Sequence, residues 1–379
     1  MSNKKNKPKV AFPHMGTVYI IWGSAINLLG GEAIIPPYTS KRTMELGSKS
    51  SPEAICLPYK LVLGNFIEAI EAGADTVAML SSPGICRLGE YSKSARDVIK
   101  DMGHDVKYYD LDLYKGKIKE MYKFLKAVTG CGNPIKILSV LLVTISKIFT
   151  IDKLENVLSF YRARELTFGQ AEKAYRRGLK KVFNAKNVFE LKKIEKEVIA
   201  EIQKTPIDAD KEVLTVDITG EIYLVLDEFS NQGIERELGK LGVQSRRSLT
   251  IGGWMRDAVI PKWFRKERTH LERAEEYAKP YLMRDIGGDS LEAISDVRYA
   301  FEKGTDGIVH VSPFTCMPEI MTQNIFPAMR EDLPIPILTL VMDEQTGKAG
   351  FVTRLEAFVD LMRRRKRQST PKTPETATV

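Results

Sequence analysis

Three of the four cysteines in this chain stand immediately before predicted helices. Cys56 and Cys316 are each followed two residues later by a proline, which suits a first helical turn because the N–H that it lacks would have no partner there. Cys86 follows the apolar segment 76–80, and Cys316 follows the apolar segment 307–311. A thiolate at a helix N-terminus is stabilised by the helix dipole and by free N–H groups. This placement predicts that the three cysteines share one metal site.

Three thiolates are compatible with more than one kind of metal centre. They leave one position for water on a tetrahedral zinc ion, or one iron without a protein ligand on a cubane iron–sulfur cluster. Free cysteine is also a common buried apolar residue, and no Cys-x-x-Cys pair is present, so three inert structural thiols are the alternative. Cys131, in the segment Thr-Gly-Cys-Gly-Asn-Pro, is expected to take no part.

Two histidines lie close in sequence to the predicted strands. His310, six residues before Cys316, is either a fourth ligand or, because it occupies an alternating strand pattern, a packed core residue. His14 ends the first strand and is predicted to face the same cleft as a proton donor or hydrogen-bond donor; the alternative is a loop histidine that caps backbone groups.

The elements that must position these residues form an α/β pattern with two lobes. Strands and helices alternate over 8–114 and again over 212–365, which predicts a parallel sheet in each lobe. Between them, 115–211 has no strand signal and is predicted to be a helical insertion. The basic Ser/Thr/Pro-rich end, 366–379, is predicted to be disordered. Because ligands bind beyond the carboxyl ends of parallel strands, thiols delivered there are expected to converge.

The composition is that of a globular chain and excludes several functions. Of the 379 residues, 43% are hydrophobic and 28% charged. Residues 1–9 carry four positive charges and 363–379 a net five, so the body between them has a net charge of −1, which is against nucleic-acid binding. The longest apolar run, 137–148, is shorter than the roughly 20 residues of a membrane span. No signal sequence is recognised, and the uneven cysteine spacing indicates a reducing cytoplasm.

No phosphate-binding loop of the Gly-x-x-x-x-Gly-Lys-[Ser/Thr] type and no Gly-x-Gly-x-x-Gly fingerprint is present, so the chain is not expected to hydrolyse ATP by itself. Several other segments, in their order and spacing, resemble the 2-hydroxyacyl-CoA dehydratase component family, in particular its CoA protein activase-associated branch. These segments are 52–61 (PEAICLPYKL) with Gly64, 84–87 (GICR), 219–223 (TGEIY), 313–319 (PFTCMPE), 342–345 (MDEQ) and 353–358 (TRLEAF).

The resemblance implies two flavodoxin-like lobes and a 4Fe-4S cluster held between them by Cys56, Cys86 and Cys316. It further implies a low-potential electron from a separate, actin-like, ATP-dependent activator, used for radical dehydration or reduction of an acyl-CoA-type substrate. A second dehydratase-like subunit or a second copy of the chain is the expected partner. Glu221 and His14 are candidates for proton transfer. The alternatives are a noncatalytic electron-transfer or scaffold subunit that docks the activator, and a metal-free α/β binding protein.

Overall fold

Two four-stranded parallel sheets organise the computed structural model, which describes residues 7–80, 86–111, 118–259 and 270–369. The first sheet has the order β2-β1-β3-β4 and the second β6-β5-β7-β8. Both lobes therefore repeat the same 2-1-3-4 order, and the predicted α/β fold with two parallel-sheet lobes is confirmed. The strands are β1 Lys9–Ala11, β2 Glu32–Ile34, β3 Thr76–Leu80, β4 Lys107–Leu111, β5 Leu214–Gly220, β6 Val243–Arg247, β7 Gly307–Pro313 and β8 Ile337–Met342.

Helices surround the sheets and fill the region between the lobes. The short 3-10 helix Arg87–Glu90 precedes α4. The α-helices are α1 Val18–Leu28, α2 Lys41–Ser50, α3 Leu57–Glu71, α4 Tyr91–Asp101, α5 Ile118–Thr129, α6 Pro134–Arg164, α7 Gln170–Asn184, α8 Val188–Gln203, α9 Ile222–Leu226, α10 Ile234–Lys240, α11 Ile251–Val259, α12 His270–Ala278, α13 Ser290–Glu302, α14 Met317–Asp332 and α15 Lys348–Ser369.

The helices α5 to α8 occupy the predicted insertion, and α6 is the longest of them. By length and composition α6 could cross a membrane, but 44% of its most apolar window is buried inside the protein. Ile151, Leu154 and Leu158 of α6 belong to the apolar core that it shares with α7 and α8. A core helix of a soluble protein passes the same test of length and composition.

The helix α2 lies in the mostly polar segment before Cys56, where the sequence has no apolar helical pattern. Ser40 begins α2 with a capping box, in which its side chain and that of Thr43 each accept a backbone N–H. Glycines let α2 lie directly on α3: a Cβ at Gly47 would be 1.7 Å from the carbonyl oxygen of Lys60, and one at Gly64 would be 1.9 Å from that of Thr43. This close contact fixes the helix that Cys56 begins.

The last helix continues beyond the end predicted for it at residue 365. Two arginines of the basic run bond to the second lobe: Arg363 donates to the carbonyl oxygen of Leu241 at 2.7 Å, and Arg365 to that of Pro334 at 2.7 Å. The helix ends at Ser369. The rest of the predicted tail, 370–379, lies outside the described residues.

Candidate functional site

The three cysteines each stand at the start of a helix, and two of them also follow a strand. Cys56 is the N-cap of α3, Cys86 that of the 3-10 helix and Cys316 that of α14, each with extended backbone. Cys86 follows β3 and Cys316 follows β7, the third strand of each lobe. Cys131 lies apart, between α5 and α6, where it contacts apolar core residues.

The three thiols are close enough to influence one another electrostatically. Burial raises the pKa of Cys56 and Cys316 and raises that of Cys86 to about 12. A negative charge on Cys56 would raise the pKa of the other two further, and the carboxylate of Glu221 raises all three. All three thiols are therefore within electrostatic range of Glu221 and are protonated at neutral pH unless a cation replaces the proton.

Glu221 is fixed between the two central strands of the second sheet. Gly220 adopts a φ of +122°, and a Cβ there would lie 2.0 Å from the carbonyl oxygen of Val311, so only glycine permits this approach to β7. The N–H of Glu221 donates to the Val311 carbonyl at 3.1 Å, and its side chain accepts the N–H of Leu224 at 3.0 Å. Burial raises the pKa of Glu221 to about 7, so it can hold or release a proton near neutral pH.

Arg87 joins the loops that carry all three cysteines. Its guanidinium donates to the carbonyl oxygen of Thr315 at 2.6 Å, to the Thr315 hydroxyl at 3.3 Å and to the carbonyl oxygen of Ala54 at 3.3 Å. Thr315 has a φ of +65°, a left-handed conformation that a non-glycine residue rarely adopts. The Sγ of Cys56 lies 2.6 Å from the hydroxyl of Tyr91. The cysteine loops are thus cross-linked by side chains from both lobes.

A buried histidine and a buried carboxylate, His310 and Glu319, lie on the strand before Cys316 and on the helix after it. His310 Nε2 is 2.5 Å from Glu319 Oε2, and the ring meets Phe326 edge-on at 4.9 Å. Burial lowers the pKa of His310 to about 3 and raises that of Glu319 to about 8, so the pair is neutral as a whole at pH 7. His310 is therefore a packed core residue that is hydrogen-bonded to Glu319 of α14, as the alternating strand pattern indicated.

Two other carboxylates near the thiols, Asp289 and Glu319, were not predicted from the sequence, where they stand out only as acidic residues at helix starts. Asp289 accepts the N–H of Ile222 at 2.9 Å, and burial raises its pKa well above the usual value. Glu319 lies in the first turn of α14. Acidic residues are common in first turns for helix-dipole reasons alone, so their sequence position could not single them out.

His14 is not brought together with the cysteines. It lines a cavity of about 720 Å³ that none of the three cysteines lines. Its ring centre lies 4.5 Å from that of Tyr19 and 4.6 Å from that of Tyr38, and its backbone N–H donates to the Asn65 side chain at 2.7 Å. Burial lowers the pKa of His14 to about 4, so the ring is neutral at pH 7.

Among the described residues, no three His, Cys, Asp or Glu side chains are close enough together to hold one metal ion. A zinc site requires its ligands to converge on one atom. A cubane cluster bonds each thiolate through a different iron, so its ligands surround it at wider spacing.

These features define a two-lobed α/β protein with three cysteines at helix starts, in loops that hydrogen bonds of Arg87 join. The chain belongs to the family described as the CoA enzyme activase uncharacterised domain (DUF2229), whose model matches residues 13–247. The predicted relation to the CoA activase-associated family is therefore confirmed. The matched region contains Cys56, Cys86 and Glu221, whereas Cys316 lies beyond it. No curated protein matches the chain.

Proposed function

We propose that this chain is an iron–sulfur protein that holds a 4Fe-4S cluster on Cys56, Cys86 and Cys316. It accepts a low-potential electron from a separate ATP-dependent activator of actin-like fold. The electron is used in radical dehydration or reduction of an acyl-CoA-type substrate. The observation that carries the proposal is that three buried or half-buried thiols, from loops of both lobes that Arg87 joins, are all within electrostatic range of one carboxylate, Glu221. Membership of a CoA enzyme activase family supports an activator as partner.

The chain's own residues would prepare this site for charge transfer. A bound cluster would supply one-electron chemistry that side chains lack. Arg87 links the three cysteine loops by hydrogen bonds and places a positive charge near the thiolates. Glu221, whose pKa is about 7, can take up or release a proton beside them as the charge of the site changes.

A second candidate is a noncatalytic electron-transfer or scaffold subunit. Exposed apolar side chains flank Cys316: Phe314 is 60% and Met317 is 58% exposed, and Ile320 and Met321 follow on α14. Apolar groups exposed together mark contact surfaces between proteins. A second dehydratase-like subunit or a second copy of this chain docked there would receive the electron in place of a small substrate.

Both candidates are tested by anaerobic purification followed by iron and acid-labile sulfide analysis. We expect near-equal iron and sulfide in the wild type, loss of both in the alanine variants of Cys56, Cys86 and Cys316, and no loss in Cys131→Ala, the matched control. Colourless protein after cluster reconstitution would overturn the proposal. An acyl-CoA-dependent change in the visible or EPR spectrum distinguishes the enzyme from the electron-transfer subunit.

A further inference from the structure

The cavity of about 720 Å³ is a separate site where the first lobe, the helical region and the second lobe meet. Its volume lies within the range of small-molecule pockets, and domain junctions are common places for them. Leu226, at the end of α9, lines the cavity, whereas Glu221 caps the opposite end of the same helix. Five helical residues, about 8 Å, thus separate the cavity from the carboxylate of the cysteine site.

One side of the cavity is a continuous network of ion pairs that joins α6 and α7 to the second lobe. Its members are Arg247 with Glu155 and Glu235, Arg162 with Glu172 and Glu235, Arg176 with Glu172 and Glu228, and Arg236 with Glu228. The cavity is lined by equal numbers of acidic and basic residues, five of each. The total charge therefore does not decide which ligand fits.

The accessible charge is nevertheless positive, because most of the carboxylates face inward. Three bases that line the cavity, Arg176, Arg236 and Lys348, keep 42–45% of their side chains exposed. Among the five acids only Glu228 is comparably exposed. Arg176 and Arg236 pair with Glu228, and Lys348 pairs with Glu237 at 2.8 Å. The phosphate or carboxylate oxygens of a ligand would therefore compete with these two glutamates for the guanidinium and ammonium groups.

The other side of the cavity is aromatic. His14, Tyr19 and Tyr38 form a cluster of three rings, with the Tyr19 and Tyr38 hydroxyls 3.2 Å apart. Tyr38 is 62% exposed although it belongs to this cluster. Exposed aromatic faces bind flat rings by stacking.

We propose that this cavity binds a nucleoside phosphate, with its heteroaromatic ring on Tyr38 and its phosphates on Arg236 and Lys348. A free nucleotide and the nucleotide portion of a coenzyme A ester share this chemistry. The site is independent of the proposed cluster, because no cysteine lines it. Protein without a cluster is therefore expected to bind the ligand.

Isothermal titration of cluster-free protein with ADP, coenzyme A, adenosine and inorganic phosphate tests the proposal. We expect ADP or coenzyme A to bind more tightly than adenosine or phosphate alone, and added salt to weaken binding. Tyr38→Ala and Lys348→Gln are each expected to weaken it about tenfold. The matched control Arg298→Gln, which removes a similarly exposed arginine on α13, is expected to have no effect.

Binding of ADP identifies a free nucleotide as sufficient, whereas binding of coenzyme A alone assigns the site to coenzyme A esters. Absence of heat with both at about 1 mM, in protein that unfolds cooperatively, overturns the proposal. So does binding that neither Tyr38→Ala nor Lys348→Gln changes. Iron and sulfide measured on separate cluster-containing preparations report the cysteine site alone, so failure of one proposal is distinguishable from failure of the other.

Discussion

Replacing Arg87 with glutamine is expected to loosen the three cysteine loops together. The change removes one short hydrogen bond, at 2.6 Å, and two longer ones, at 3.3 Å, that reach Thr315 and Ala54. Arg87 is exposed, so water competes for each bond, and each contributes at the low end of the usual range, about 0.5 kcal/mol. The three together amount to about 1.5 kcal/mol, or roughly a tenfold change in an equilibrium constant.

The assay uses cluster-free protein and phenylarsine oxide, a trivalent arsenical that binds two neighbouring thiols at once. We expect Arg87→Gln to weaken arsenical binding about tenfold and to lower the iron retained after purification. Arg96→Gln is the control, because it removes an exposed arginine of α4 whose partner, Asp97, is its neighbour in the chain. Wild-type arsenical affinity in Arg87→Gln, or equal loss in Arg96→Gln, would refute the reasoning.

Three further changes test the fold around the site by urea denaturation. His14 has a pKa of about 4 in the folded protein, so the free energy of unfolding should fall by up to about 3 kcal/mol between pH 6.5 and 4. The variant His14→Phe should lose that part of the pH dependence. A variant with the pH profile of the wild type would contradict this prediction. Gly64→Ala should lower the free energy of unfolding by more than about 2 kcal/mol, because the added Cβ would overlap the backbone of α2. Gly350→Ala, whose Cβ would have nothing within 4 Å, should leave the free energy of unfolding unchanged. Equal effects of the two changes would show that α2 moves to accept the added Cβ. The buried ammonium of Lys60 lies 2.7 Å from the carboxylate of Glu344 and joins the lobes. Glu344→Gln should lower the free energy of unfolding more than Lys60→Met, because it leaves the buried ammonium without a counter-charge. The reverse order would contradict this argument.

Much of the two-lobed architecture could be predicted because strands buried on both faces appear as apolar runs. Val216 and Ile218 of β5, and Ile308 and Val309 of β7, are such residues. The helix α2 could not be predicted, because it is polar over most of its length and is held by backbone contact at Gly47. Such contacts depend on tertiary packing, which a local pattern does not contain.

The helix-start positions of the three cysteines were predictable, because they follow from local sequence. The cross-links between their loops were not, since Arg87 and Thr315 are 228 residues apart. His14 was expected to face the same cleft, but Met15 and Gly16 both have positive φ, and the loop turns toward Leu226. That turn directs His14 into the separate cavity.

The central claim is that one cluster is bound by Cys56, Cys86 and Cys316. Native mass spectrometry of anaerobically purified chain tests it directly, because the mass of the bound inorganic group is read without assuming its identity. The account predicts an added mass equal to four iron and four sulfide ions, present in Cys131→Ala and absent from Cys316→Ala. A chain that carries no added mass after reconstitution, or only the mass of a single zinc ion, would contradict it.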